Sequence, residues 1–315
     1  MMITEILNIS TDFDSSIEKA LSWLRAGMPV VFPTETVYGI GGGLFDLNAV
    51  EMVYKIKGRD FKNPLSAHIS NINDAKMLCR DIPDEFYILA DKFLPGPLSI
   101  VMSKRSEVPD LVTGGGDTLS IRFPANDIFL ELSQKFGQPI AATSANKSGK
   151  PSPVIAMHAY DDLQGLVPVI LDAGKCRYQI ESTVISLVDE PKLIRPGAIS
   201  QKVISEALGR EIKSLNTQIA VFDNKKSSLE NSSFRIICFD NFDSIIDFCK
   251  DKSKNDILIF SRENIHDIFS VQKTEESSFF SDLRDAEING VQYLLVEKDQ
   301  YVMNSEVLRH RLKIK

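Results

Sequence analysis

Residues Ile3 to Phe32 read ITEILNISTDFDSSIEKALSWLRAGMPVVF, and this stretch decides the fold class. Ile3–Ile9 is an apolar, extended run. Ser15–Ala26 places Ile17, Ala20, Leu21 and Leu24 at the spacing of one helix face, with Ser15 or Ser16 as the N-cap. Gly27 ends that helix, and Met28–Phe32 is a short apolar strand running into Pro33. Strand, helix, strand is the unit from which α/β domains are built.

The same grammar continues outward. Helices are expected at Val50–Ile56, Asp84–Phe93, Asp127–Phe136 and Ser200–Leu208. Strands are expected at Leu65–Ile69, Leu98–Met102, Thr118–Arg122, Pro139–Ala142, Val167–Asp172, Ser182–Leu187 and Lys192–Arg195. A polar stretch with a Lys pair and several Ser and Asn follows. The pattern then restarts, with strands at Phe234–Phe239, Asp256–Phe260 and Val291–Val296 and helices at Phe242–Cys249, Phe279–Asn289 and Ser305–Arg311. The expected organisation is an α/β domain over 1–212, a linker over 213–233 and a smaller α/β domain over 234–315.

Composition narrows the function. A chain of 315 residues exceeds one ordinary hydrophobic core. No apolar run approaches the ~20 residues that span a bilayer, and the acidic N-terminus lacks the basic start of a signal peptide. The four cysteines, Cys79, Cys176, Cys238 and Cys249, have neither metal-site nor disulfide spacing and read as buried thiols of a reducing cytoplasm. The net charge of −7 argues against a protein that coats nucleic acid.

Four segments concentrate hydroxyls, glycines and single cations at expected strand ends, where α/β folds bind ligands. The first is Pro33–Gly43, PTETVYGIGGG. It reads either as a strand-to-helix turn with Thr caps or as a place of close backbone approach. It is no Walker loop, since no Gly-Lys-Ser/Thr closes it. The second, Lys55–Leu65, carries four cations (Lys55, Lys57, Arg59 and Lys62) and is followed by His68. Cations at a helix C-terminus favour its dipole, yet Lys and Arg in this density also gather polyphosphate oxygens. On its residue context alone, His68 in an apolar strand fits a core position better than a catalyst. The third pairs Thr113–Pro124 with Ala141–Ser152, placing Arg122 at alternate spacing in an apolar strand, which is costly unless the cation is paired or ligand-facing. The fourth combines Glu181–Val184 with Leu193–Gly197. These segments contain no Ser-His-Asp context, no thiol beside a His and no HExxH. A pocket of cations and neutral donors suits positioning and electrostatic stabilisation, as in phosphoryl and nucleotidyl transfer.

At these residues the sequence resembles the YrdC-like family of threonylcarbamoyl-AMP synthases. The stretches that carry the likeness are FPTETVYGIG (32–41), KIKGR with KNPLSAHI (55–69), LPGPLSIVM (94–102), TLSIRFPA (118–125), PIAATSANKSGKPSP (139–153), ESTVISL (181–187) and LIRPGAI (193–199), in family order. The resemblance implies a YrdC-like twisted mixed sheet with an open cleft, plus a smaller Rossmann-like C-terminal domain, the long form of the family. It implies that threonine captures bicarbonate or CO2 and that the carbamate attacks the α-phosphorus of ATP. Threonylcarbamoyl-adenylate then passes to a tRNA threonylcarbamoyltransferase. Carried over by motif, Thr36, His68, Arg122, Ala142 and Ser182 are the implied threonine contacts, with Arg122 on the carboxylate. Lys57, Arg59, Asn63, Thr118, Ser144, Asn146, Ser152 and Arg195 are the implied ATP contacts, with Lys57 and Arg59 offsetting triphosphate charge in catalysis. Mg2+ is expected to accompany ATP, held by substrate oxygens and water rather than by protein side chains. The long form usually has a Lys-x-x-His-Tyr-x-Pro-like linker element over the active site, whereas 213–234 contains neither His nor Tyr. Two other readings stay open at this point: a carbamoyltransferase using carbamoyl phosphate, and a non-catalytic module that binds structured RNA.

Overall fold

The computed structural model of the chain describes residues 2–214, 234–240, 245, 248–249, 252–261, 270–272, 275–312 and 314. It divides into two compact units, Met1–Ser148 with Ser152–Lys226, and Gly149–Pro151 with Ser227–Lys315. Most of the linker expected at 213–233, and most of the helix expected at Phe242–Cys249, lie outside the described residues.

The first unit is built on one mixed eleven-stranded sheet. Its strands in chain order are β1 (Glu5–Asn8), β2 (Val30–Phe32), β3 (Gly39–Gly43), β4 (Ser66–His68), β5 (Leu98–Ser103), β6 (Thr118–Arg122), β7 (Ile140–Ser144), β8 (Val169–Asp172), β9 (Thr183–Ser186), β10 (Lys192–Arg195) and β11 (Lys213–Ser214). Their order across the sheet is β1-β8-β2-β3-β7-β4-β6-β5-β9-β10-β11. The helices are α1 (Phe13–Arg25), α2 (Leu47–Lys57), α3 (Asp74–Leu78), α4 (Asp84–Phe93), α5 (Asp110–Thr113), α6 (Asp127–Phe136), α7 (Ala156–Leu163) and α8 (Gln201–Leu208).

Alternation along the strands separates two cores. Val31, Ile40, Ala67, Ile121 and Ala141 face a large cluster closed by α2, α4, α7 and α8. Val30, Phe32, Ile140 and Ala142 face a second cluster closed by α1 and α6. α1 begins earlier than expected because Asp12, not Ser15, is its N-cap and accepts from the Ser15 N–H.

Two features differ from the reading above. Pro33–Gly43 is not a strand-to-helix turn: its glycines form β3, antiparallel to both β2 and β7. A Cβ on Gly41 would lie 2.6 Å from Ile140 Cγ2, and one on Gly42 would lie 2.8 Å from Ala49 Cβ. The glycines admit close packing within the sheet and against α2. Second, β7 runs on through Thr143 and Ser144, so the hydroxyl run begins inside the strand rather than after it.

The second unit holds a parallel sheet ordered β12-β15-β13-β14, from β12 (Arg235–Phe239), β13 (Ile257–Phe260), β14 (Ser270–Gln272) and β15 (Tyr293–Glu297). Helices α9 (Phe279–Ile288), α10 (Gln300–Asn304) and α11 (Glu306–Leu312) complete its described part. No helix among the described residues is long and apolar enough to cross a membrane.

Candidate active site

The apolar core of the α1/α6 face ends along the sheet, and polar side chains take over. The alternation that turns Ile121, Ala67 and Ile100 into the large core turns Arg122, His68 and Ser99 to the other face. Strand register aligns them: His68 opposes Arg122 across β4 and β6, and Arg122 opposes Ser99 across β6 and β5. Ser66, two residues from His68, opposes Ala142 across β4 and β7.

Arg122 is 3% exposed, so its charge requires a partner. Glu35 supplies it, at 2.5 Å from Nη2, and is itself buried. The same Nη2 donates to Thr36 Oγ1 at 3.2 Å. Burial lowers the Arg122 pKa, and Glu35 opposes that shift. Thr36 is fixed by a local turn: Thr34 Oγ1 lies 2.9 Å from Thr36 Oγ1 and donates to the Val37 carbonyl at 2.6 Å.

His68 stands edge-on to the rings of Phe32 and Phe129. Burial and then the Arg122 charge push its pKa down to about 3, against a smaller upward effect of the Ser66 carbonyl. The imidazole is therefore neutral throughout the working pH range and acts only as a hydrogen-bonding group. Beyond Arg122, Ser99 Oγ meets Ser182 Oγ at 2.8 Å, and Arg195 Nη2 donates to the Ser182 carbonyl at 2.8 Å and to its Oγ at 3.2 Å. Arg122 thus joins Thr36 by a hydrogen bond and His68 and Ser99 by register, with Ser182 and Arg195 bonded beyond Ser99 and Ala142 on the neighbouring strand β7.

A second group surrounds the end of β7. Lys57, 2% exposed, closes α2 and points its ammonium into the 144–146 loop. Nζ donates to the Ser144 carbonyl, to the Asn146 carbonyl at 2.5 Å and to Asn146 Oδ1 at 3.3 Å. Ser144 Oγ donates to the same Oδ1 at 2.5 Å. The contact is reciprocal, since the Ser148 N–H donates to the Lys57 carbonyl and Lys147 Nζ to the Ile56 carbonyl. Asp162 accepts from the Lys147 N–H at 3.2 Å. Gly58, at φ 60°, ends α2 in the left-handed conformation that lets the chain turn here.

The remaining expected contacts sit in the 59–64 turn, at the start of β6 and after residue 151. Arg59 donates to the carbonyls of Asn63 and Pro64, both at 3.0 Å, which folds the 59–64 turn. Thr118 begins β6. Ser152 Oγ donates to Glu181 Oε1 at 2.8 Å. Glu35, Ser99, Lys147, Asp162 and Glu181 are not among the contacts implied by the motifs. For Glu35 a signal existed: an Arg in an apolar strand demands a counter-charge, and Glu35 is the one acid among the hydroxyls of Pro33–Tyr38.

The family model Sua5_yciO_yrdC, described as telomere recombination, matches residues 22–197. A threonylcarbamoyl-AMP synthase of Pyrococcus abyssi is 43% identical over 209 residues, covering 66% of this chain and 62% of that protein. One of Bacillus subtilis is 40% identical over 198 residues, covering 62% of this chain and 57% of its own length. The chain therefore spans about three fifths of the length of these two curated relatives. Over the whole chain, the crystal structure of P. abyssi Sua5 complexed with L-threonine superposes with a TM-score of 0.87 at 32% identity, covering 99% of this chain and 98% of that one.

Proposed function

Because the chain belongs to the Sua5/YciO/YrdC family, we propose that it is a threonylcarbamoyl-AMP synthase, converting L-threonine, bicarbonate or CO2, and ATP to threonylcarbamoyl-adenylate and pyrophosphate. The observation that carries this reading is the buried Arg122, bonded to Glu35 and Thr36 through one nitrogen only, with His68 and Ser99 beside it in the sheet and Ser182 bonded to Ser99. A buried cation whose second side meets no acid, with neutral hydrogen-bonding groups beside it, suits a small amino acid bound through its carboxylate.

In this reading Arg122 binds the threonine carboxylate, and Thr36, neutral His68 and Ser182 orient the amino acid beside the wall that Ala142 provides. The free amine forms a C–N bond to CO2 and loses a proton to solvent, giving a carbamate. A carbamate oxygen then attacks the α-phosphorus, and the bond to the β-phosphate oxygen breaks as pyrophosphate leaves. Lys57 braces the Ser144–Asn146 loop, against which the nucleotide rests. Arg59, Asn63, Thr118, Ser152 and Arg195 surround the rest of ATP, with Arg59 facing the triphosphate. Mg2+ would enter with ATP as part of that substrate, carried on phosphate oxygens and water. Catalysis then rests on alignment and charge stabilisation rather than a side-chain nucleophile. The product would go to an enzyme that transfers the threonylcarbamoyl group to tRNA adenosine in the cytoplasm.

The test is pyrophosphate release from the full chain with ATP, threonine and bicarbonate, omitting each in turn. Release that requires all three supports the reading. Consumption of carbamoyl phosphate with no need for threonine would replace it with carbamoyl transfer. Salt-sensitive RNA binding without turnover would replace it with an RNA-binding module.

A further inference from the structure

The Glu35–Arg122 pair has a shape that stability alone does not explain. A buried Arg–carboxylate pair is strongest as a two-pronged fork, which satisfies both carboxylate oxygens. Here a single Nη2 carries both bonds, to Glu35 Oε1 and to Thr36 Oγ1. Glu35 Oε2 and Arg122 Nε are buried and have no partner, and the structure gives Nη1 no hydrogen bond. Leaving such groups unmatched is costly in a dry interior.

The backbone that carries Glu35 is nevertheless firmly fixed. Glu35 lies inside the turn that Thr34 Oγ1 builds by accepting from the N–H groups of Thr36 and Val37, both at 3.2 Å. Its carbonyl accepts from the Tyr178 N–H at 2.8 Å. A rigid turn thus presents one carboxylate oxygen to one corner of the guanidinium.

We propose that Glu35 is the positioning residue of the amino-acid site: it holds Arg122 by one corner and balances its charge while the site is empty, so that the guanidinium is pre-aligned for a substrate carboxylate. This inference rests on the reading of Arg122 as the threonine anchor. Because Glu35 Oε2 is sealed from solvent, the role is exerted through Arg122 and not by contact with the amine or the nucleotide. Pre-alignment contributes to affinity by removing the ordering cost at the moment of binding.

The experiment measures steady-state kinetics of Glu35→Gln and Glu35→Asp in the full chain, with titration of a non-hydrolysable ATP analogue as the check on folding. Gln keeps an acceptor but removes the charge, and Asp keeps the charge one methylene further back. The expected result is a threonine KM raised at least ten-fold in Glu35→Gln, with kcat at saturating threonine and affinity for the ATP analogue within about two-fold of wild type. Glu35→Asp should recover part of the loss. An unchanged threonine KM in Glu35→Gln would overturn the proposal, and a lowered one would show Glu35 competing with substrate. Should Glu35→Gln fail to bind the analogue, Glu35→Asp decides, and an unaltered threonine KM there is equally fatal. Wild-type protein that neither binds nor uses threonine would remove the functional reading and this inference together. Wild-type turnover with unaffected variants would remove this inference alone.

Discussion

His68 offers a sharp test of the site's electrostatics, because its neutrality follows from where the fold places it. The ring packs edge-on against both Phe32 and Phe129 and shares a face with Arg122; burial and the Arg122 charge hold its pKa at about 3. In the unfolded chain a histidine titrates near 6.5. Between those values the unfolded state binds a proton that the folded state refuses. The stabilisation from a neutral His68 is therefore complete above about pH 6.5 and is lost as pH falls toward 3. Going from pH 7.5 to pH 5, the protonation difference amounts to about 2 kcal/mol. The ring is not fully enclosed, so about 1 to 2 kcal/mol is expected. The single tryptophan, Trp23, packs against the cluster that contains Phe32 and Phe129, so its fluorescence reports unfolding of the first unit. Denaturation would be followed at both pH values for the wild type and for His68→Gln, which cannot titrate. The wild type should lose about 1 to 2 kcal/mol more on acidification than the variant. Equal losses would show that His68 takes up a proton in the folded state, contradicting its assigned environment.

Three further outcomes follow from named contacts. Gly41→Ala forces a Cβ to within 2.6 Å of Ile140 Cγ2 in the middle of the sheet and should cost about 1 to 3 kcal/mol, read by the same fluorescence transition. Lys57→Met removes the ammonium that gathers the carbonyls of Ser144 and Asn146. It should weaken an ATP analogue at least ten-fold in calorimetric titration, with threonine affinity changed by less than about two-fold. With Arg59 proposed to face the triphosphate, Arg59→Ala should lower turnover by about two orders of magnitude or more while threonine still binds; near-normal pyrophosphate release would refute that role.

Much of the first unit was legible in the sequence because its helices and strands obey single periods. Ile17, Ala20, Leu21 and Leu24 mark one face of α1, and Leu119 and Ile121 alternate with Ser120 and Arg122 in β6. β3 escaped, since a run of glycines carries no hydrophobic pattern; only the strands and helix packed against it explain why it is extended. α7 escaped for a related reason: it is eight residues long, and its buried face includes His158 and Asp162, so polarity hid its period. In the site, the motifs nominated candidate groups but carried no sign of their connections. That Lys57 grips loop carbonyls, or that Arg122 is held by Glu35, depends on residues nearly ninety positions apart and is set by sheet register.

In the proposed reaction one pocket joins threonine, a one-carbon unit and the adenylate of ATP. The most direct measurement is mass spectrometry of the nucleotide product formed from 13C-bicarbonate, 15N-threonine and ATP. A threonylcarbamoyl-adenylate carrying both labels is the expected result. An adenylate with neither label, or hydrolysis of ATP to AMP without any threonine-containing nucleotide, would contradict the account.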